Sequence, residues 1–185
     1  MNRRHVLGLL AAALPAGACA RRQPVIVPDL RSSEPYVLSS GDKLRIIVFG
    51  QDALSNIYQV DGSGRIAMPL IGAIHVGGMG TAGAASAIEA KLRAGFVREP
   101  TVTVEVDTYR PFFILGEVTN SGQFAYVNGM TVQTAIAIAG GFTPRADRDV
   151  AELTRRTPRG NVIGEVPMTF GLRPGDTVVI KERWF

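Results

Sequence analysis

Ser40-Gly41-Asp42-Lys43-Leu44-Arg45-Ile46 and Pro174-Gly175-Asp176-Thr177-Val178-Val179-Ile180 stand near opposite ends of the chain and read alike, each a Gly-Asp turn leading into an apolar run. Glycine reaches the positive φ that a tight turn needs, and aspartate can accept from the backbone two residues on. The echo marks two related halves.

Outward from the first copy, ordered structure is expected to begin at Tyr36. Lys43 to Phe49 reads as a strand with Leu44, Ile46 and Val48 on one face and Ile47 and Phe49 making the other face apolar too. A second strand, Ile57 to Val60, runs into Asp61-Gly62-Ser63-Gly64, a hairpin signal, and then into Arg65 to Leu70. A short strand, Ala73 to Val76, precedes Gly77 to Gly80. Thr81 is placed to cap a helix over about Ala82 to Ala94, with Ala85, Ile88 and Leu92 on one face, a Glu89–Arg93 pair at i,i+4, and Gly95 as its stop. Thr101 to Asp107 alternates strictly, Val102, Val104 and Val106 inward, as a half-buried strand does.

The pattern restarts after Arg110-Pro111. Phe112 to Val118, a turn at Asn120-Ser121-Gly122 and Gln123 to Val127 precede a short helix capped by Thr131 and ended by Gly140-Gly141. Strands follow around Val150 to Arg155, Val162 to Val166 and Thr177 to Lys181. Runs of mixed or antiparallel strands holding one main helix apiece fit an α+β fold better than a doubly wound parallel sheet.

The residues offer little reactive chemistry. Gly78-Met79-Gly80-Thr81-Ala82-Gly83 is a literal G-x-G-x-x-G, yet its strand is short and no further βα units follow, so it reads as a turn before a helix. His75 is the one histidine beyond the leader and reads as a polar edge residue. No serine sits in a nucleophile elbow. Asp42, Asp61 and Asp176 lie in turns where a structural job suffices, and Phe112-Phe113 and Trp184-Phe185 read as core or interface. Arg110, Arg145 and Arg148 fall at loop positions that read as solvated surface, where an anionic polymer could be met. The expectation is no enzyme, no cofactor and no metal.

Met1 to Cys19 reads as an export signal: Arg3-Arg4, an apolar run from Val6 to Leu14, and small residues before the single cysteine. Cleavage before Cys19 and acylation of its sulfur would make a lipoprotein, while Ala16-Gly17-Ala18 is also an ordinary A-x-A site. Sec and twin-arginine routes both fit. The chain carries 20 Lys and Arg against 16 Asp and Glu; loss of Arg3 and Arg4 leaves about +2, too little and too scattered for nucleic acid. With one cysteine, the fold rests on apolar burial and not on an internal disulfide. Ala20 to Ser33, polar and carrying Pro24 and Pro28, reads as an extended tether.

Tyr36-Val37-Leu38, Gly41-Asp42-Lys43-Leu44, Val60-Asp61-Gly62, Ile66, Pro69, Gly72, Gly80-Thr81 and Pro100-Thr101-Val102-Thr103-Val104 resemble the export domain of the outer-membrane polysaccharide export lipoprotein family. Gly116-Glu117-Val118, Gly122, Thr131, Ala139-Gly140-Gly141, Leu153-Thr154-Arg155 and Leu172-Arg173-Pro174-Gly175-Asp176 resemble its soluble-ligand-binding β-grasp module. The resemblance implies a signal peptide over 1–18, a lipidated tether over 19–34, the export domain over 35–109 and the β-grasp domain over 110–185. The motif turns are Gly41, Asp42, Asp61, Gly62, Gly116, Gly140, Gly141, Gly175 and Asp176.

It further implies a periplasmic homo-oligomeric ring or adaptor that carries a capsular or exopolysaccharide chain and has no catalytic residues. The chain stops at Phe185 after an expected strand, without the further modules and C-terminal amphipathic helix of the largest members. The expectation is therefore a short member anchored by Cys19, docking on an inner-membrane polysaccharide co-polymerase and passing polymer to a separate outer-membrane pore protein. Ala20 follows Cys19, where an Asp would signal inner-membrane retention, so the inner leaflet of the outer membrane is the expected anchor site. The alternative is a periplasmic lipoprotein that binds a saccharide or a partner and forms no channel.

Overall fold

Burial at every second position of the strands builds the first half of the protein. In a computed structural model that describes residues 30, 35–157 and 159–184, Leu44, Ile46 and Val48 of β1 (Lys43–Val48) all point into one core. β1 is the centre of a three-stranded antiparallel sheet, flanked by β2 (Asn56–Gln59) and β5 (Val102–Thr108). Its register sets Ile46 opposite both Asn56 and Val104. A separate two-stranded ribbon, β3 (Arg65–Met68) with β4 (Gly72–His75), and helix α1 (Thr81–Arg93) cover the inner face of that sheet. Each buried aliphatic side chain there is worth about 1.5–3 kcal/mol, so the alternation itself sets which face is core.

Several local expectations are corrected. Asp61 to Gly64 does turn the chain, but β2 and β3 pair with different partners, so the turn is a corner between two sheets; the hairpin is the β3–β4 ribbon. Thr81 is the first residue of α1, and Gly80, in extended conformation and without a side-chain cap, precedes it. Ala84, Ile88 and Leu92 are the buried stripe, with Ala85 only partly covered. Glu89 turns from Arg93 to the sheet, where its Oε1 accepts the Val102 N–H at 3.0 Å.

The second half is a five-stranded mixed sheet in the order β7-β6-β10-β8-β9, built from β6 (Phe112–Gly116), β7 (Gly122–Phe124), β8 (Val150–Thr157), β9 (Gly160–Pro167) and β10 (Thr177–Ile180). Only β6 and β10 run parallel; the chain returns to β6 from its far side after the β8–β9 hairpin. Helix α2 (Val132–Ile138) lays Val132, Ala135 and Ile136 on this sheet. Its start is the capping box expected at Thr131, whose hydroxyl accepts the Thr134 N–H while Thr134 Oγ1 accepts the Thr131 N–H. Phe112 is fully buried, whereas Phe113 points to the open face.

One residue of the expected tether belongs to this second core. Leu30 is 1% exposed and sits in the cluster of Phe112, Ile114, Ile136 and Leu153. A lone leucine in a Pro-containing polar stretch carries no period, so alternation could not place it. The leader, Cys19 and Phe185 lie outside the described residues. Among the described residues, no helix is long and apolar enough to cross a membrane.

Candidate functional site at the joint between the two halves

The two Gly-Asp turns meet at the joint. Asp42 is fully buried, and its Oδ2 accepts from the Tyr36 hydroxyl at 2.5 Å and the Ser39 N–H at 2.8 Å. Oδ1 accepts the Arg110 N–H at 3.0 Å, and the Arg110 guanidinium, itself bonded to the Tyr36 hydroxyl at 2.9 Å, lies 3.3 Å from Oδ2. Burial, and then the Asp42 carboxylate, push the Tyr36 hydroxyl far above the ordinary phenol range, which keeps it a donor. Arg110 is thus a joint residue and not solvated surface.

Asp176, 1% exposed, does the matching work in the second turn. Its two oxygens receive Arg155 Nε at 3.0 Å and Nη2 at 2.7 Å, and Oδ2 also accepts the Arg173 N–H at 2.8 Å. Such forked pairing is the strong form of a guanidinium–carboxylate contact. Arg155 is buried as well; Nη2 reaches the Gly171 carbonyl and Nη1 the Leu30 carbonyl at 2.7 Å. Phe170 covers the guanidinium.

Both glycines of the echo face the same arginine. Gly41 (φ 93°) and Gly175 (φ 85°) adopt the left-handed conformation, and the Gly175 N–H donates to the Pro111 carbonyl at 3.0 Å. Tyr36, Tyr109 and Tyr126 continue the contact edge to face across the joint, with ring centroids 5.1 and 5.5 Å apart. Geometries of this kind add about 0.5–1.5 kcal/mol per pair beyond area burial. The tyrosine row and the Arg155–Leu30 contact were missed in the sequence, because their members are far apart and none belongs to a periodic run.

The other motif turns are structural and scattered. Asp61 accepts from the Ser63 N–H and hydroxyl and from the Arg65 N–H, which together hold its carboxyl below the usual range, the Arg65 bond most of all. Gly64 and not Gly62 carries the positive φ there, and it packs on the His75 ring. Gly116 is pressed on Ile180, and Gly140 and Gly141 end α2, with their carbonyls accepting from Thr119. Glu117 takes the Thr143 hydroxyl and Arg145, whose guanidinium also pairs with Glu182 at 3.3 Å. Arg148 lies over the Phe142 ring, so none of the three loop arginines is simply solvated.

The start of the glycine run 78–83 is engaged by the chain itself: Gly78 N–H donates to the Leu38 carbonyl, Met79 N–H to Val76, and the Met79 carbonyl accepts from Leu38. The strands that flank α1, β4 and β5, lie in different sheets, so α1 is not the crossover of a dinucleotide-binding βαβ unit. Among the described residues no three His, Cys, Asp or Glu side chains gather in a way that could hold a metal ion.

Two α+β units in this order, joined through paired Gly-Asp turns, match known sequences. Residues 30–107 match the family described as polysaccharide biosynthesis/export protein, and residues 111–170 match the SLBB domain. The chain is also 31% identical over 153 residues to the exopolysaccharide production protein ExoF of Rhizobium meliloti (strain 1021), a stretch that is 76% of this chain and 34% of that protein. The chain belongs to the polysaccharide biosynthesis/export family. It spans about a third of the length of this curated relative. The family is one of export and not of catalysis, and its members are generally associated with the periplasm and envelope.

Proposed function

We propose that the protein is a periplasmic component of a capsular or exopolysaccharide export machine, working as a building block of a ring or adaptor and not as an enzyme. The observation that carries this reading is the joint: Asp42, Arg110 and Gly175 hold two α+β units together through an ion pair, a backbone hydrogen bond and close glycine packing, the rigidity that a part tiling with copies of itself needs. In this reading the units divide near Arg110, residues 1–18 are removed, and acylated Cys19 holds the chain to the inner leaflet of the outer membrane. The protein then takes polymer from an inner-membrane co-polymerase and hands it to a separate outer-membrane pore protein. The motif turns shape the units, and the polymer is met by surfaces of the assembled oligomer.

A clean deletion tests the role. Loss of surface polymer with polymer retained inside the cell, restored by the wild-type chain, is the expected result. Normal surface polysaccharide in the deletion would overturn the reading.

A further inference from the structure

Leu70 is an anomaly in both conformation and exposure. It is the only non-glycine residue among those described with a positive φ, 69°, and its side chain is 61% exposed at the tip of the β3–β4 ribbon. The Ile71 N–H donates to the Pro69 carbonyl at 2.9 Å, which closes a tight three-residue turn around Leu70. A leucine held in this region is strained and a glycine would not be. With most of it in solvent, its side chain gains little from burial within the unit. Neither backbone nor packing within one copy explains a leucine here.

The same unit offers a surface that would. The outer face of the β2-β1-β5 sheet carries Ile47, 49% exposed, and Ile57, 43% exposed, with Glu105 beside them in the register Ile57–Arg45–Glu105. The ribbon and α1 pack on the inner face of that sheet, so Leu70 and the open face are separate patches of the unit. Charge follows the same division. Lys91, in the last turn of α1, bonds the Ala73 carbonyl of the ribbon and has no acidic partner among the described residues; Glu105 on the open face stands across from Arg45, whose guanidinium is paired with Asp107.

We propose that Leu70 of one copy seats on the Ile47–Ile57 face of the next, with Lys91 approaching Glu105 of that neighbour. A knob and a seat that are different patches of one unit make a head-to-tail contact, the kind that closes into a ring when the rotation allows. The inference rests on the ring reading above and names the surface that builds it.

The test is cysteine pairing in the full chain expressed in the bacterial envelope, with the parent chain, whose single cysteine is Cys19, as background. Leu70→Cys together with Ile57→Cys should give a disulfide ladder extending past dimer, and each single variant should stop short of it. Leu70→Gly should weaken self-association about tenfold or more while leaving the fold as stable or more so. Lys91→Glu and Glu105→Lys should each weaken assembly, and their combination should restore it. Oligomers that form without the ladder and ignore Leu70→Gly overturn this contact and leave the ring reading standing. A wild-type chain that stays monomeric in the envelope overturns both.

Discussion

Gly175 lies so close to Arg110 that a Cβ at position 175 would come within 2.9 Å of Arg110 Nε. The second Gly-Asp turn therefore braces the arginine that the first one binds through Asp42. Gly175→Ala must displace the guanidinium or shift the turn, and its φ of 85° adds backbone strain. The expected loss is about 1–3 kcal/mol, read from denaturant midpoints. The expected companion effect is a broadened or split transition as the halves lose their coupling.

Gly116 and Gly141 separate steric from conformational need. Both have positive φ, but a Cβ on Gly116 would fall 2.1 Å from the Ile180 carbonyl oxygen, whereas one on Gly141 meets open space. Gly141→Ala should cost about 1–2 kcal/mol from backbone strain alone. Gly116→Ala should cost more than about 4 kcal/mol, because β10 and β6 would have to part. Equal losses for the two variants would contradict this assignment.

Arg155 and Leu30 can be tested by subtraction. Leu30→Ala removes the buried side chain and keeps the carbonyl, with an expected cost of about 2–5 kcal/mol. Removing every residue before Pro35 also takes the carbonyl that Arg155 Nη1 donates to, which should add about 1–3 kcal/mol for an orphaned buried donor. Arg155→Ala leaves the buried Asp176 carboxylate unpaired, at about 3–5 kcal/mol. Thermal or chemical melts of the three variants check the ranking.

Glu117 predicts an acid limb. The Thr143 hydroxyl, and after it Arg145, hold its carboxyl below the ordinary range, so the native state favours the ionised form. A depressed native value contributes stability that is present above the unfolded carboxyl pKa, about 4.3, and is lost as pH falls through the lower native value. The wild type should therefore out-melt Glu117→Gln by a constant margin at neutral pH, and that margin should vanish in acid. A margin that persists below the native value would assign it to shape and not to charge.

Much of the fold was legible because β5 alternates, β1 carries Leu44, Ile46 and Val48 at every second place, and Thr131 with Gly140-Gly141 brackets α2 at both ends. What escaped was nonlocal. Pairing decides whether Asp61 to Gly64 closes a hairpin or turns a corner, and nothing within those residues reports it. Thr81 is a capable cap in isolation, yet the Gly78–Met79 pairing with Leu38 hands that place to Gly80. The Gly-Asp echo was visible, but its convergence on Arg110 depends on how two separately folded cores approach each other. Leu70 offered no signal at all, since strain belongs to the backbone and leaves no mark on composition.

The seat of Leu30 changes how the molecule would bear mechanical load. Were Cys19 acylated as proposed, the first described contact along the chain from the anchor would be Leu30 and not Tyr36, within about 40 Å of chain at full extension. A pull on the anchor would then be taken up by the hydrophobic interior of the second half, through a leucine and the arginine gripping its carbonyl. The tyrosine and Gly-Asp joint would be spared that tension.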